Sequence, residues 1–342
     1  MARVRLRKLF TNEEIIDAID NTENFGEAAK SLSELRETSV TRHMVRYWYR
    51  TLYEFTKENG EAYVGTTVAD RHIRNQEVKL RNPTPDDDKG QSTTVDNSRI
   101  MIIPDQHAPY QHKDALAFLA DVASILKPTR VVNLGDETDG HALSFHDSDP
   151  NLDAAGPELA QAREFMHALA RMFPVQDVCH SNHGSLVYRR AFKTGIPVEY
   201  IRPYREVLFP DGGGEGWEWK EQIDVTLPNG DRVIFQHQSA GDILNNAAHE
   251  RANIVQGHEH GYFFIRYRSS SSALYWAMVS GCLIDRKALA FAYGKNFPNK
   301  PVIGCSAIID SEPVLIPMPM DDNGRYTGNL NGVLSLMKGG KS

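Results

Sequence analysis

The chain has 342 residues, 41% hydrophobic and 24% charged, with a formal net charge of -7, which fits a globular protein with a substantial core and room for a small second domain. The acidic balance excludes a global attraction to nucleic acid, so any polyanion has to be held by local patches or by bound metal. No run reaches transmembrane length, and the basic opening MARVRLRKLF lacks the apolar core of a signal peptide, so a cytoplasmic protein is expected.

From Thr11 to about Leu52 the periodicity predicts helices. Asn12 can cap EEIIDAIDN, NFGEAAKSLSEL follows, and Ser39 or Thr41 can cap a third helix over SVTRHMVRYWYRTL. A compact trio ending in a helix rich in Arg and aromatics has the form of a helix-turn-helix DNA module. Arg42, His43, Arg46 and Arg50 fall near one face as DNA-binding candidates, with Met44, Val45 and Trp48 turned inward. A plain helical bundle with a solvated basic face is the alternative. Residues 61–80 read as a strand and a basic helix-like piece, and 81–98 have the Pro, Gly, Asp and Ser content of a linker. The expected organisation is a mostly helical domain over 1–80, a linker over 81–98, a main domain over 99–320 and a tail over 321–342.

The main domain begins with RIMIIPDQH, a short apolar run ending in Asp105 and His107. Side chains two apart on an extended segment point the same way, so these two could grip one cation. The arrangement recurs. VVNLGDETDG ends in Gly135, Asp136 and Asp139, VQDVCHSNHG in His180, Asn182 and His183, RVIFQHQ in His237, and NIVQGHEH in Gly257, His258 and His260. Strand ends that each deliver oxygen or imidazole ligands are what a site at the carboxyl edge of a sheet requires. The donors suffice for two divalent cations, and carboxylate with imidazole suits Mn, Fe or Zn better than Ca or Mg.

Between these blocks, KDALAFLADVASILK and the segment from Pro157 to Phe173 read as helices that return the chain to the next strand, which implies parallel pairs. From Gly216 the pattern turns to strands: GWEWKEQIDVTL, a PNG turn and DRVIFQHQ form a hairpin signal, and YFFIRYR, SALYWAMVSG, PVIGCSAIID and PVLIPMP follow. Cys179, Cys282 and Cys305 lack metal spacing and read as buried free thiols.

The ordered blocks DQH, GDETD, SNH, a lone His and GHEH resemble the calcineurin-like metallophosphoesterase superfamily, whose pattern is DxH, GD, GNH, H and GHxH; the likeness runs from about Arg99 to Asp310. The resemblance implies an α/β fold, a two-sheet α/β/β/α sandwich, here preceded by the small helical domain. It implies that Asp105, His107 and His260 hold one metal, Asn182, His237 and His258 the other, with Asp136 bridging. It places His183 above the metals as general acid, with Asp139 as the carboxylate that pairs with it. Ser181 and Gly184 replace the family's Gly and acid around the Asn-His pair, and Gly140-His141 stand where protein phosphatases carry Arg, which argues against a Ser/Thr protein phosphatase. Arg189 and Arg190 are candidates for gripping a substrate phosphate, whereas His141, His146, His180 and His249 are not counted as ligands.

The expected function is a phosphodiesterase using two divalent ions, manganese first with magnesium, iron or zinc as alternatives, and most specifically a DNA nuclease, exo- or endonuclease, of the phage-encoded kind acting in a bacterial cytoplasm. A phosphomonoesterase or small nucleotide phosphodiesterase, and a non-catalytic DNA-binding regulator with a vestigial site, are the alternatives. DNA is the expected partner, and the oligomeric state stays open.

Overall fold

In β1 (Arg99–Ile103), Ile100 and Ile102 join one buried cluster while Met101 and Ile103 join another. A strand apolar on both faces has to be covered twice, and this alternation sets the layers of the main unit. The computed structural model describes residues 9–22, 24–36, 38–42, 44–45, 96–145, 151–269, 273–286 and 300–332. The chain divides into two units, Met1–Ile73 and Arg74–Ser342.

The first unit contains α1 (Asn12–Asp20) and α2 (Phe25–Leu35), whose inward residues Ile15, Ala28, Ala29 and Leu32 are buried together with Val40 and Val45. The cap of α1 is Thr11 rather than Asn12. Its side chain accepts from the Glu14 N–H while the Glu14 carboxylate accepts from the Thr11 N–H, a reciprocal pair that Asn12, one residue later, cannot make. Thr41 Oγ1 accepts from the Met44 N–H at 3.3 Å, and Met44 and Val45 pack inward. Arg42 is exposed. His43, Arg46, Trp48, Arg50, residues 61–80 and 81–95, and His146 lie outside the described residues.

The second unit continues through α3 (Ala115–Leu126), β2 (Arg130–Asn133), α4 (Ala155–Met172), β3 (Val175–Cys179), α5 (Leu186–Lys193), α6 (Tyr204–Leu208) and β4 (Gly216–Lys220). It then runs through β5 (Ile223–Thr226), β6 (Arg232–Gln236), α7 (Ile243–Glu250), β7 (Asn253–Gln256), β8 (Phe263–Ser269), β9 (Leu274–Ser280), β10 (Gly304–Ile309) and β11 (Glu312–Pro317). The strands form two sheets, β11-β10-β1-β2-β3-β4 and β5-β6-β7-β9-β8. Ile100, Ile102, Val132, Val233, Phe235, Val255 and Met278 fill the space between them. The first sheet's other face is covered by Phe118, Leu119 and Val122 of α3 and Phe165, Met166 and Leu169 of α4, while α7 covers Ile234, Ile254 and Ala277 of the second. The architecture is the expected α/β sandwich of two sheets with helices outside.

β1, β2 and β3 are mutually parallel, as the crossover helices implied. GWEWKEQIDVTL is not one arm of a hairpin. It breaks at Glu221 and Gln222 into β4, which joins the first sheet, and β5, which alone pairs with β6 across the Leu227–Gly230 turn. The segment after His237, in the stretch where the pattern turns to strands, contains a helix, α7, and this crossover makes β6 and β7 parallel. The expected tail is fastened to the main unit as far as it is described. Leu330 is buried in the helix-side core, and Arg325 makes a 2.6 Å ion pair with Asp114. Cys179, Cys282 and Cys305 are buried free thiols. No helix among the described residues is long and apolar enough to cross a membrane.

Candidate metal centre

β1, β2 and β3 end at one edge of the first sheet and β6 and β7 at one edge of the second, because each is parallel to a neighbour within its sheet, and donors that follow both sets of strands converge. The loops that leave them carry Asp105 and His107, Asp136 and Asp139, Asn182 and His183, His237, and His258 and His260. The first two loops are clamped together: the Gln106 and His107 N–H groups donate to the Asp136 carbonyl, Ala108 N–H to Glu137, and Asp139 N–H to Ala108.

Four donors converge in one group, Asp105, His107, Asp136 and His260, with ligand atoms within 4.8 Å of one another; Asp136, His237 and His258 form a second on the same criterion. Asp136 belongs to both, with Oδ2 3.3 Å from Nε2 of His107 and 3.3 Å from Nε2 of His237. Nε2 of His107 and Nε2 of His260 are 3.1 Å apart, and His260 Nε2 lies 3.0 Å from Asp105 Oδ2. Asn182 Oδ1 is 2.7 Å from His237 Nε2, on the side of the second group.

These residues fit divalent ions. Asp105 Oδ1 and Asp136 Oδ2 are buried carboxylate oxygens without a hydrogen-bond partner among the described residues, a costly arrangement that a cation would relieve. The backbone makes room as well: a Cβ on Gly257 would collide with Asp105 Oδ1, and one on Gly135, at φ +95°, would stand 2.6 Å from the Cys179 carbonyl oxygen. His107, Asp136 and His258 themselves adopt φ of 51°, 48° and 68°. Left-handed backbone at three donors is strain of the kind that collects at functional sites.

Hydrogen bonds beyond the donors orient them. His237 Nδ1 donates to the Leu134 carbonyl at 2.9 Å, which turns Nε2 toward the other donors. His107 Nδ1 lies 2.6 Å from Asp139 Oδ1 and is oriented the same way by a carboxylate. The Asp139 carboxylate, which the resemblance paired with His183, therefore sits on His107, and its distance to His183 Nδ1 is 3.7 Å. His183 is held instead by the Asp139 main-chain carbonyl, to which its Nδ1 donates, and its own N–H donates to Asp136 Oδ1 at 3.1 Å.

Burial opposes charge on His107, but the carboxylates of Asp136 and Asp139 overcome it and push the imidazole up to about 10. For His237, burial is likewise outweighed by the charges of Asp136 and Asp105, and it rises to about 9. Asp136 is held well below the usual carboxylate range, since the surrounding imidazoles outweigh its burial. Desolvation lowers His183 below the usual histidine value, with the charge on His107 acting in the same direction against Asp136 and Asp139.

Arg189 and Arg190 are not among the donors. Both lie over the Phe145 ring, at 4.9 and 4.5 Å, and Arg190 also donates to the carbonyls of Leu143 and Ser144. His141 and His180 are buried, and His249 lies on α7. Sequence reasoning missed the supporting groups. Glu158 of α4 is buried and accepts from His141 N–H at 2.9 Å, holding the loop that follows Asp139. The Gln106 and Asn133 side-chain amides bond each other beneath the site. Glu158 lies in a helix with nothing in its spacing to distinguish it, whereas an Asn ending the apolar strand β2 was a legible signal.

No protein-family model and no curated protein matches the chain. Among solved structures it is similar to Vps29 from Chaetomium thermophilum, at 12% identity over 67% of this chain and 93% of that one, with a TM-score of 0.35. It is similar to Vacuolar Protein Sorting 29 from Cryptosporidium parvum, at 13% identity over 67% and 94%, TM-score 0.36. YfcE, a phosphoesterase from E. coli, is 14% identical over 61% and 87%, TM-score 0.30. What this centre can do follows from its own side chains.

Proposed function

We propose that the protein is a metal-dependent phosphodiesterase of the metallophosphoesterase type, with DNA as its substrate. The observation that carries this is the sharing of one buried carboxylate, Asp136, between two groups of metal donors. Asp105, His107, Asp136 and His260 would hold one ion, and Asp136, Asn182, His237 and His258 the other; a carboxylate between them offsets the repulsion of two dications. Paired divalent ions supply water activation and neutralise the charge that develops on a phosphoryl group.

The chain's own contribution is orientation and proton handling. Asp139 fixes the His107 ring and the Leu134 carbonyl fixes His237, so that each presents Nε2 to the centre. His183 donates from Nδ1 to the Asp139 carbonyl, and its Nε2 has no hydrogen-bond partner among the described residues. That nitrogen is the candidate to pass a proton to the leaving oxygen, as general acid. Its lowered pKa makes the proton easy to surrender and restricts the charged form to lower pH. The exposed Arg42 of the helical head is the described part of its DNA-binding candidate face.

The test is hydrolysis by the purified full chain, with Mn or Mg, of single- and double-stranded DNA, p-nitrophenyl phosphate and its bis ester. Cleavage of the diester and DNA is expected. Release from the monoester alone would make it a phosphomonoesterase, and binding of DNA without hydrolysis of any substrate would make the centre vestigial.

A further inference from the structure

We infer that the exposed side of α5 is a contact surface for a single strand of nucleic acid leading from the metal centre, with Lys193 and Phe192 as contacts beside Arg189 and Arg190; this rests on the phosphodiesterase reading and narrows its substrate class. Three cations converge on one ring: Arg189, Arg190 and Lys193 lie 4.9, 4.5 and 4.1 Å from the centroid of Phe145. None of the three makes an ion pair among the described residues. Gathering like charges costs energy, which cation-π contact offsets only in part and a polyanion would offset well. In a chain of net charge -7, such a group, unpaired among the described residues, is a local departure from the global balance.

Its position ties it to the chemistry. Helix α5 begins at Leu186, directly after the loop bearing Asn182 and His183, and Arg190 comes seven residues after His183, about 10 Å along a helical path. That is the reach of one or two nucleotides from a scissile phosphate. Phe145 lies on the segment that follows Asp139 and Gly140, and Arg190 fixes this segment through the carbonyls of Leu143 and Ser144. Apolar surface accompanies the charge: Phe192, on the same helix, is 63% exposed. Phe192 stands one helical turn from Arg189, where the two neighbour each other. Cations for phosphates and open aromatic faces for unpaired bases are the two components of single-strand binding. A duplex hides those base faces, which is why a single strand is the occupant favoured.

The test is a fluorescence-anisotropy titration of the full chain with a fluorescein-labelled single-stranded oligonucleotide in chelator, at several salt concentrations. Lys193→Gln should lower the slope of log affinity against log salt by about 0.7, the share of one single-strand phosphate. Phe192→Ala should weaken binding about tenfold with the slope unchanged, because stacking carries no charge. Both side chains are exposed, and thermal melts confirm that the variants fold. Affinity and slope unchanged in both variants would overturn the inference, as would equal losses on single-stranded and duplex DNA with Phe192→Ala. Each variant is compared with the parent chain, so contacts made by the head cancel. The titration needs no hydrolysis, so failure of the phosphodiesterase reading would appear in the nitrophenyl diester assay instead.

Discussion

Nδ1 of His107 lies 2.6 Å from Oδ1 of Asp139, and both side chains are buried. A carboxylate behind a ligating imidazole fixes its tautomer and raises its basicity, so Asp139→Ala should weaken metal binding about 10- to 100-fold. Asp139→Asn should lose less, since its amide oxygen can still accept from Nδ1. Competition titration with a metal chelator checks this. Native affinity in the alanine variant would show that Asp139 does not act through His107.

Asp136 is shared by both donor groups, so Asp136→Asn should deplete both ions together. A neutral amide cannot balance two dications. Elemental analysis and diester hydrolysis should fall in parallel, and loss of one ion with retention of the other would show that the carboxylate belongs to a single site.

His183→Ala should keep its metal but lose rate, by roughly 10²- to 10⁴-fold if a general acid has been removed. The loss should be larger on DNA, whose alkoxide needs the proton, than on a nitrophenyl diester, whose leaving group does not. Equal losses would assign His183 to phosphate binding, and a missing ion would make it a ligand.

The raised histidines predict the pH dependence of loading. Both have folded values, about 10 for His107 and about 9 for His237, above the roughly 6.5 of an unfolded histidine. Their contribution to the metal-free fold is thus fully present below about 6.5 and is lost as pH rises through about 9 and then about 10. A metal takes only the neutral imidazole, so uptake near pH 7 should release protons and apparent affinity should climb with pH. Calorimetry in two buffers of different ionisation enthalpy reads the released protons directly. No buffer dependence would mean that the rings are already neutral.

Gly257→Ala should damage the centre without replacing a donor. The new Cβ would run into Oδ1 of Asp105 and stand 3.3 Å from the Cβ of Leu134, which the inter-sheet packing fixes. Reduced metal content in a chain whose secondary structure is intact is the expected outcome, and native content would show that the loop can yield.

Much of this was legible in the residues. The continuous apolar run in RIMII announces a buried strand, and Ile100 and Ile102 do part from Met101 and Ile103. Ligand-type residues after each apolar run mark the carboxyl edge, since a strand's end and its side-chain direction are local properties. Tertiary structure decided what local pattern does not encode. GWEWKEQIDVTL splits because its halves pair with different sheets. Asp139 turns its carboxylate to His107 and only its carbonyl to His183. Its spacing from Asp136 is compatible with either partner. The choice was made by the backbone clamp between residues 106–108 and 136–139, which depends on β1 and β2 lying side by side, and nothing within either segment specifies that.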